Sequence, residues 1–346
     1  MNADDKKRFV ELDGLKGLLC IVIFCYHYYT RVCGSDLNTS PSLVPILFLK
    51  YGNLAVEFFF CISGFLSALS YRNRDLNMLD YMKRRLKIYP QVAIAVFLCT
   101  FLTLIDRFWF HTNTINEDLT VQGLLRSLLM ISIPTEKKAP LSGQTWFYQI
   151  LVLCFIIYFF VRKLKAYYLP MNLFLAVLGY TLIITKSSFP VHSPAVGRGL
   201  LSFFIGVILY EVVRTECLSK TIYSYCLWTL SIGTMYLLFR FDQIYIGNRF
   251  AVFGMFVAPA FILSVIRINF LRFIFQTLPM RFLGSISLAF YLLHQNIIDA
   301  AKLFNARFKM HLIFASNKVF AVILLICLVC SVIFRILTTP KPTTKI

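Results

Sequence analysis

Apolar residues in this chain fall in long unbroken runs, not in the alternation of half-buried strands or the one-sided stripes of soluble helices. Runs close to the ~17–25 residues that cross hydrocarbon lie at 12–31, 46–71, 88–106, 145–161, 168–185, 199–213, 222–239, 250–266, 282–298 and 319–337. The pattern predicts an all-α polytopic membrane protein, a bundle of about ten transmembrane helices in a single integral-membrane domain. The ninth run is the most polar, with Ser285, Ser287 and His294 inside it. The longest polar interruption, 107–144, reads as a loop, with an amphipathic stretch near 120–133 suited to an interfacial helix and a polar remainder, 135–143, suited to admitting substrate. Only residues 337–346 follow the last run, so no appended soluble domain is expected.

Composition agrees. Of 346 residues 58% are hydrophobic and 15% charged, with 35 phenylalanines, which places the chain in a membrane and not around a large soluble core. The net charge of +19 would suit nucleic acid in a soluble protein; here basic loops facing anionic lipid or an anionic substrate explain it, and no nucleic-acid partner is expected. With the N-terminus cytoplasmic, 21 of the 35 lysines and arginines fall on the cytoplasmic side and 14 on the other, so both termini are expected to be cytoplasmic. No cleavable leader is evident, because Tyr26, His27 and Tyr28 stand where small residues would be needed. Most of the ten cysteines sit inside apolar runs as small hydrophobes, and Cys327-x-x-Cys330 has no histidine or carboxylate beside it, so no metal is expected.

Candidate chemistry lies where ionisable groups interrupt the runs. Lys16 and His27 are eleven residues apart, on nearly the same helix face and roughly 16 Å apart along the axis, near opposite ends of the first run. An imidazole in a spanning helix is a functional candidate; the alternative is an interfacial histidine flanked by Tyr26, Tyr28 and Tyr29. Glu57, among Val56, Phe58, Phe59 and Phe60, is expected to face the bundle interior, a partner cation or water, and is a candidate to orient or charge-balance His27. A structural ion pair, or a carboxyl held neutral by its apolar surroundings, is its alternative reading. Ser63 next to Gly64 fits close helix packing better than nucleophilic attack, since no base stands at helical spacing. Arg72, Arg74, Arg84, Arg85 and Lys87 crowd the loop before Pro90 and suit phosphates or lipid headgroups. That loop has no glycine-rich cradle, so an ordinary nucleotide fold is not supported. Trp146 opens the fourth run at an interface, and His294 lies towards the same end of the bundle as His27.

Four blocks in order give these segments a family likeness: LDGLKGLL leading to His27; Gly52, Val56, Glu57, Phe59, Phe60, Ser63, Gly64 and Phe65; Arg84, Lys87, Ile88 and Pro90; and Leu283, Gly284, Ile286, Ser287, Tyr291, Leu292 and His294. Together they resemble acyltransferase family 3, membrane O-acyltransferases of surface polysaccharides. Lys16 and Lys87 stand where the family has arginine, which keeps the charge and loses the planar fork. The resemblance implies transfer of an acetyl or other short acyl group from acetyl-CoA, a donor substrate and not a resident cofactor, to a hydroxyl of a carbohydrate or lipid-linked glycan outside a bacterial cytoplasmic membrane. It implies His27 and Glu57 as catalytic residues and Lys16, Arg72, Arg74, Arg84, Arg85 and Lys87 as ligands of the acyl-CoA phosphates. Ser63, Trp146 and His294 would then line the acceptor side, and polysaccharide-assembly proteins and membrane lipid would be partners. Direct transfer and a covalent acyl-enzyme are both open. The rival readings are a transporter or flippase, for which two repeated halves with broken helices would be needed, and an inactive scaffold.

Overall fold

The computed structural model describes residues 9–115, 117, 119–130, 141, 143–185, 193–216, 220–241 and 246–339. Among these all regular structure is helical and there is no strand. The α-helices are α1 Val10–Val32, α2 Ile46–Tyr51, α3 Ala55–Tyr71, α4 Met78–Arg85, α5 Tyr89–Leu104, α6 Val121–Leu128, α7 Trp146–Val161, α8 Tyr168–Thr185, α9 Ser193–Arg214, α10 Thr221–Arg240, α11 Ile246–Val252, α12 Ala258–Arg267, α13 Asn269–Gln276, α14 Leu278–Phe308 and α15 Asn317–Thr338. π-Helical turns, Ile105–Phe110 and Phe253–Val257, extend α5 and join α11 to α12.

All ten predicted runs are helical. Among the described residues, eight helices are long and apolar enough to cross a membrane, or nine if α13 and α14, which meet at a 66° bend, form one span. The difference from ten lies in α1, whose 23 residues are long enough but carry Glu11, Asp13, Lys16, His27 and Arg31, which offset its apolar centre.

Helix starts follow the sequence chemistry. Asn77 caps α4 by accepting from the Asp80 amide, Thr120 caps α6 through the Gly123 amide, and Ser316 caps α15 through the Lys318 amide. Pro90 occupies the first turn of α5, where its missing amide hydrogen costs no bond.

The chain forms two compact units, each assembled from separated segments: Met1–Leu19, Leu54–Leu86 and Phe147–Gly284 in the first, and Cys20–Asn53, Lys87–Trp146 and Ser285–Ile346 in the second. In the first unit α9 packs along both α3 and α8. Glycine makes this possible. A Cβ on Gly64 would strike the carbonyl of Phe203, one on Gly206 the carbonyl of Cys61, and one on Gly179 the amide of Leu201. Gly14 and Gly17 of the LDGLKGLL block have the same use, since Cβ atoms there would collide with the Phe275 carbonyl and with Leu283 and Gly284. The glycines of that block thus seat the α13–α14 junction on α1.

In the second unit α14 runs beside α1. The Cys20 thiol donates to the Ser287 carbonyl at 3.2 Å, Phe24 meets Phe290 edge-on at 5.8 Å, and the Tyr28 hydroxyl donates to the Phe314 carbonyl at 2.9 Å. Asn296 ties α14 to α5 by donating to the Ala95 carbonyl at 3.0 Å.

The amphipathic stretch expected to be helical near 120–133 forms a helix over part of its length. Helix α6 covers 121–128, residues 131–133 of the expected stretch lie outside the described residues, and Leu119, Leu124 and Leu128 pack against Val96, Cys99 and Leu141. The Tyr89 hydroxyl, at the far end of α5, donates to the Leu128 carbonyl at 2.9 Å. The segment therefore lies along α5, from Cys99 towards Tyr89. Its leucines on the α5 side are satisfied by that helix, which is why an amphipathic pattern that suits a membrane surface here suits a neighbouring helix. Of the polar stretch expected at 135–143, residues 135–140 and 142 lie outside the described residues.

Candidate functional site

Two histidines meet in the second unit. The rings of His27 on α1 and His294 on α14 have centroids 5.2 Å apart and are tilted by 42°. His294 is 1% exposed, and its Nδ1 lies 2.7 Å from the Tyr291 carbonyl and 3.2 Å from that of Phe290. Carbonyls only accept, so Nδ1 carries the proton, and the Nε2 of the neutral ring is a buried acceptor that meets no donor among the described residues.

His27 is fixed from the other side. Its Nε2 lies 3.0 Å from Nε2 of Gln295. Arg31 settles which atom donates: its Nη2 reaches Gln295 Oε1 at 3.0 Å. A guanidinium has donors only, so the amide oxygen must face Arg31 and the amide N–H must face His27. His27 Nε2 therefore holds a lone pair, the form a general base requires. Arg31 is itself held by Asp299 and by Glu117, the latter at 3.4 Å. Asp299 is 7% exposed and Glu117 3%.

Glu117 arrives from the loop after α5. Asp106, fully buried in the π-helical turn, accepts from the Thr112 hydroxyl at 2.5 Å and from the Thr114 and Ile115 amides at 3.1 and 2.7 Å. The Arg107 guanidinium donates to the Glu117 carbonyl at 2.5 Å, and Lys302 donates to the Thr114 carbonyl at 3.4 Å. The turn and its anchors bring residues 112–115 and Glu117 to the Arg31 end of α1. Burial pushes the Glu117 carboxyl up to about 7, against the pull of Arg31 and with the push of Asp299. The start of the fourth run closes the same region. A Cβ on Gly143 would sit 3.5 Å from Gln295 Oε1, Gln144 donates to the Leu292 carbonyl at 2.7 Å, and the Tyr291 hydroxyl donates to the Gln144 carbonyl at 3.1 Å. Trp146, half-buried, follows at the head of α7.

The first unit holds the other predicted residues. Glu57 is fully buried and accepts from Arg198 Nε at 2.5 Å and Nη2 at 3.0 Å, a two-pronged pair. The Arg198 guanidinium also covers the Phe250 ring at 4.0 Å. Lys16 is paired with Asp13 at 2.7 Å. Arg72 donates to Glu211 at 2.6 Å and lies over the Tyr168 ring. Arg85 rests on the rings of Tyr71 and Phe155 at 4.3 and 4.5 Å, and its buried Nε and Nη2 have no acceptor among the described residues. Arg162 holds the basic loop in shape by donating to the carbonyls of Tyr71, Arg74 and Leu76. Arg74 and Arg84 are exposed, as is Lys87, which belongs to the second unit. Ser63 is partly buried, and its carbonyl accepts from the Ser67 hydroxyl at 2.6 Å.

The model of a family described as the acyltransferase domain matches residues 9–336. The chain belongs to this acyltransferase family. It is similar to acyltransferase MdmB of Streptomyces mycarofaciens, with 28% identity over 124 residues, 36% of this chain and 30% of that protein. The match spans under a third of that relative's length. No solved structure matches the chain.

In this member of the family the structure brings together His27 and His294, while Glu57, Ser63, Lys16 and most of the basic residues stand in the first unit. Arg31, Gln295, Asp299 and Glu117 are absent from the sequence reading. A signal existed for three of them. Arg31 is four residues beyond His27 and shares its helix face, and Gln295 and Asp299 are four apart beside His294. Nothing local marks Glu117, which depends on a turn made by Asp106.

Proposed function

We propose that this acyltransferase moves a short acyl group, acetyl first among them, from acyl-CoA made in the cytoplasm to a hydroxyl of a glycan on the opposite face. The supporting observation is the hydrogen-bond order at His27, where Arg31 fixes the Gln295 amide and leaves a lone pair on His27 Nε2. The acceptor oxygen attacks the thioester carbonyl while His27 Nε2 takes the hydroxyl proton. The tetrahedral intermediate then expels the CoA thiolate, which recovers that proton from the imidazolium. Gln295 must yield its place on Nε2 to the acceptor, and it can do so while staying bonded to Arg31.

Arg72, Arg74, Arg84, Arg85, Lys87 and Lys16 are assigned to the phosphates of the donor. Among them Arg85, with donors left over, is best prepared for a new acceptor. Glu57 enters through Arg198: a carboxylate locked to a guanidinium is not a free base, which leaves proton removal to His27.

The test is reconstitution in liposomes with labelled acetyl-CoA and a panel of glycans. His27→Ala is expected to lower transfer by at least 100-fold at unchanged membrane abundance. Full activity of that variant would remove the assignment, and solute flux without transfer would replace the enzyme by a carrier.

A further inference from the structure

The buried Nε2 of His294 is an acceptor that the reaction above does not use. Its ring cannot turn to bury a different edge without losing both carbonyls at Nδ1, at 2.7 and 3.2 Å. A buried acceptor left without a donor costs as much as a lost hydrogen bond. Packing gives no return for it, since the ring's contacts with Phe290, Tyr291 and His27 would be equally available to phenylalanine. The ring also lies in one cluster with the proposed base, the two imidazole centroids being 5.2 Å apart.

We infer that His294 Nε2 accepts a hydrogen bond from a second hydroxyl of the acceptor, adjacent to the one that His27 deprotonates, so that the enzyme selects polyols with neighbouring hydroxyls. The two imidazoles then divide the work. His27 is held by a donor that can be displaced, Gln295, and takes part in proton transfer. His294 is locked at Nδ1 by two main-chain carbonyls and orients the substrate. Two oxygens on adjacent carbons are about 3 Å apart, within reach of two acceptors on rings this close. A lone alcohol would satisfy one ring and leave the other buried acceptor unmet, and sites built to bond a substrate hydroxyl discriminate strongly against analogues that lack it.

This inference rests on the acyl-transfer reading and is tested beside it. Methyl hexopyranosides and their monodeoxy counterparts are assayed as acceptors in liposomes with labelled acetyl-CoA, for the wild type, His294→Ala and His294→Gln. For the wild type, removing the hydroxyl next to the acetylated one is expected to lower kcat/KM ~10–100-fold. His294→Ala should lose a similar factor on the full sugar, mainly in acceptor KM, and under ~3-fold on the deoxy sugar, because the two changes remove the same bond. His294→Gln, which keeps an acceptor oxygen in that region, should recover part of the loss. Equal losses of His294→Ala on both sugars would overturn the inference and leave acyl transfer standing, as would a rise in acetyl-CoA KM matching that for the sugar. Wild-type protein that transfers to no sugar would overturn both. If His294→Ala fails to accumulate, the comparison of full and deoxy sugars in the wild type and His294→Gln decides: no discrimination between the sugars ends the proposal.

Discussion

Nε2 of Gln295 stands 3.0 Å from Nε2 of His27, and the amide end that faces the ring is chosen by Arg31 and not by the histidine. Gln295→Ala should leave His27 in place but free to adopt either tautomer, and acyl transfer is expected to fall ~10-fold. Gln295→Glu sets a carboxylate between Arg31 and His27, which favours the imidazolium and takes the lone pair away. Its loss should be the larger, and a partial recovery with rising pH would show the base being released. A Gln295→Glu variant as active as the wild type would show that the amide sets nothing.

Glu117 supplies a pH dependence of opposite kind. In the fold its carboxyl is raised from the ordinary 4.5 to about 7. It therefore binds its proton more tightly folded than unfolded, so the loop's stability is highest at low pH and falls as pH climbs from about 4.5 to about 7. The groups facing it are Arg31, Asp299 and Arg107. Hydrogen exchange over residues 112–117 should be faster at pH 8 than at pH 5.5, and Glu117→Gln should flatten the difference. Exchange that slows with rising pH beyond the intrinsic rate correction would refute the assignment.

Removing Arg198 leaves Glu57 buried without its cation. Breaking such a pair costs ~3–5 kcal/mol, so Arg198→Ala is expected to lower Tm in detergent by several degrees. Adding Glu57→Gln should restore part of it, because the orphaned charge goes too. The comparison is made by thermal unfolding of the two variants, and equal Tm values for wild type and Arg198→Ala would show the pair to be idle.

Close helix contact in the first unit rests on single hydrogen atoms. Gly64→Ala and Gly206→Ala each drive a methyl group into the backbone of the partner helix and are expected to reduce folded yield sharply. Gly233 on α10 has open space around its Cβ position, and Gly233→Ala should be neutral or stabilising by ~0.5–1 kcal/mol. Size-exclusion yield of the three variants makes the check. Equal behaviour would mean that the glycines are not packing residues.

The helices were legible because hydrocarbon demands long apolar runs, a demand that leaves its mark residue by residue. The close approach at Gly64 was legible for a similar local reason, and His27 and His294 stood out as titratable groups in apolar segments. What could not be read was pairing at long range. Gln295 meets His27 across 268 positions of chain, and Glu57 meets Arg198 across 141. Neither distance carries a periodicity. The course of residues 119–128 was hidden for another reason: the same leucine pattern satisfies a membrane surface and a helix groove equally well, and only Val96, Cys99 and Leu141 decide between them.

That course has a consequence for mapping experiments. The backbone leaves the His27 end at Glu117, reaches the level of Tyr89 at Leu128, and is back beside Gln295 at Gly143. Ser127 is fully buried, so an impermeant thiol reagent aimed at a cysteine placed there should fail from either bath, whereas a plain loop over 107–144 would leave it reactive.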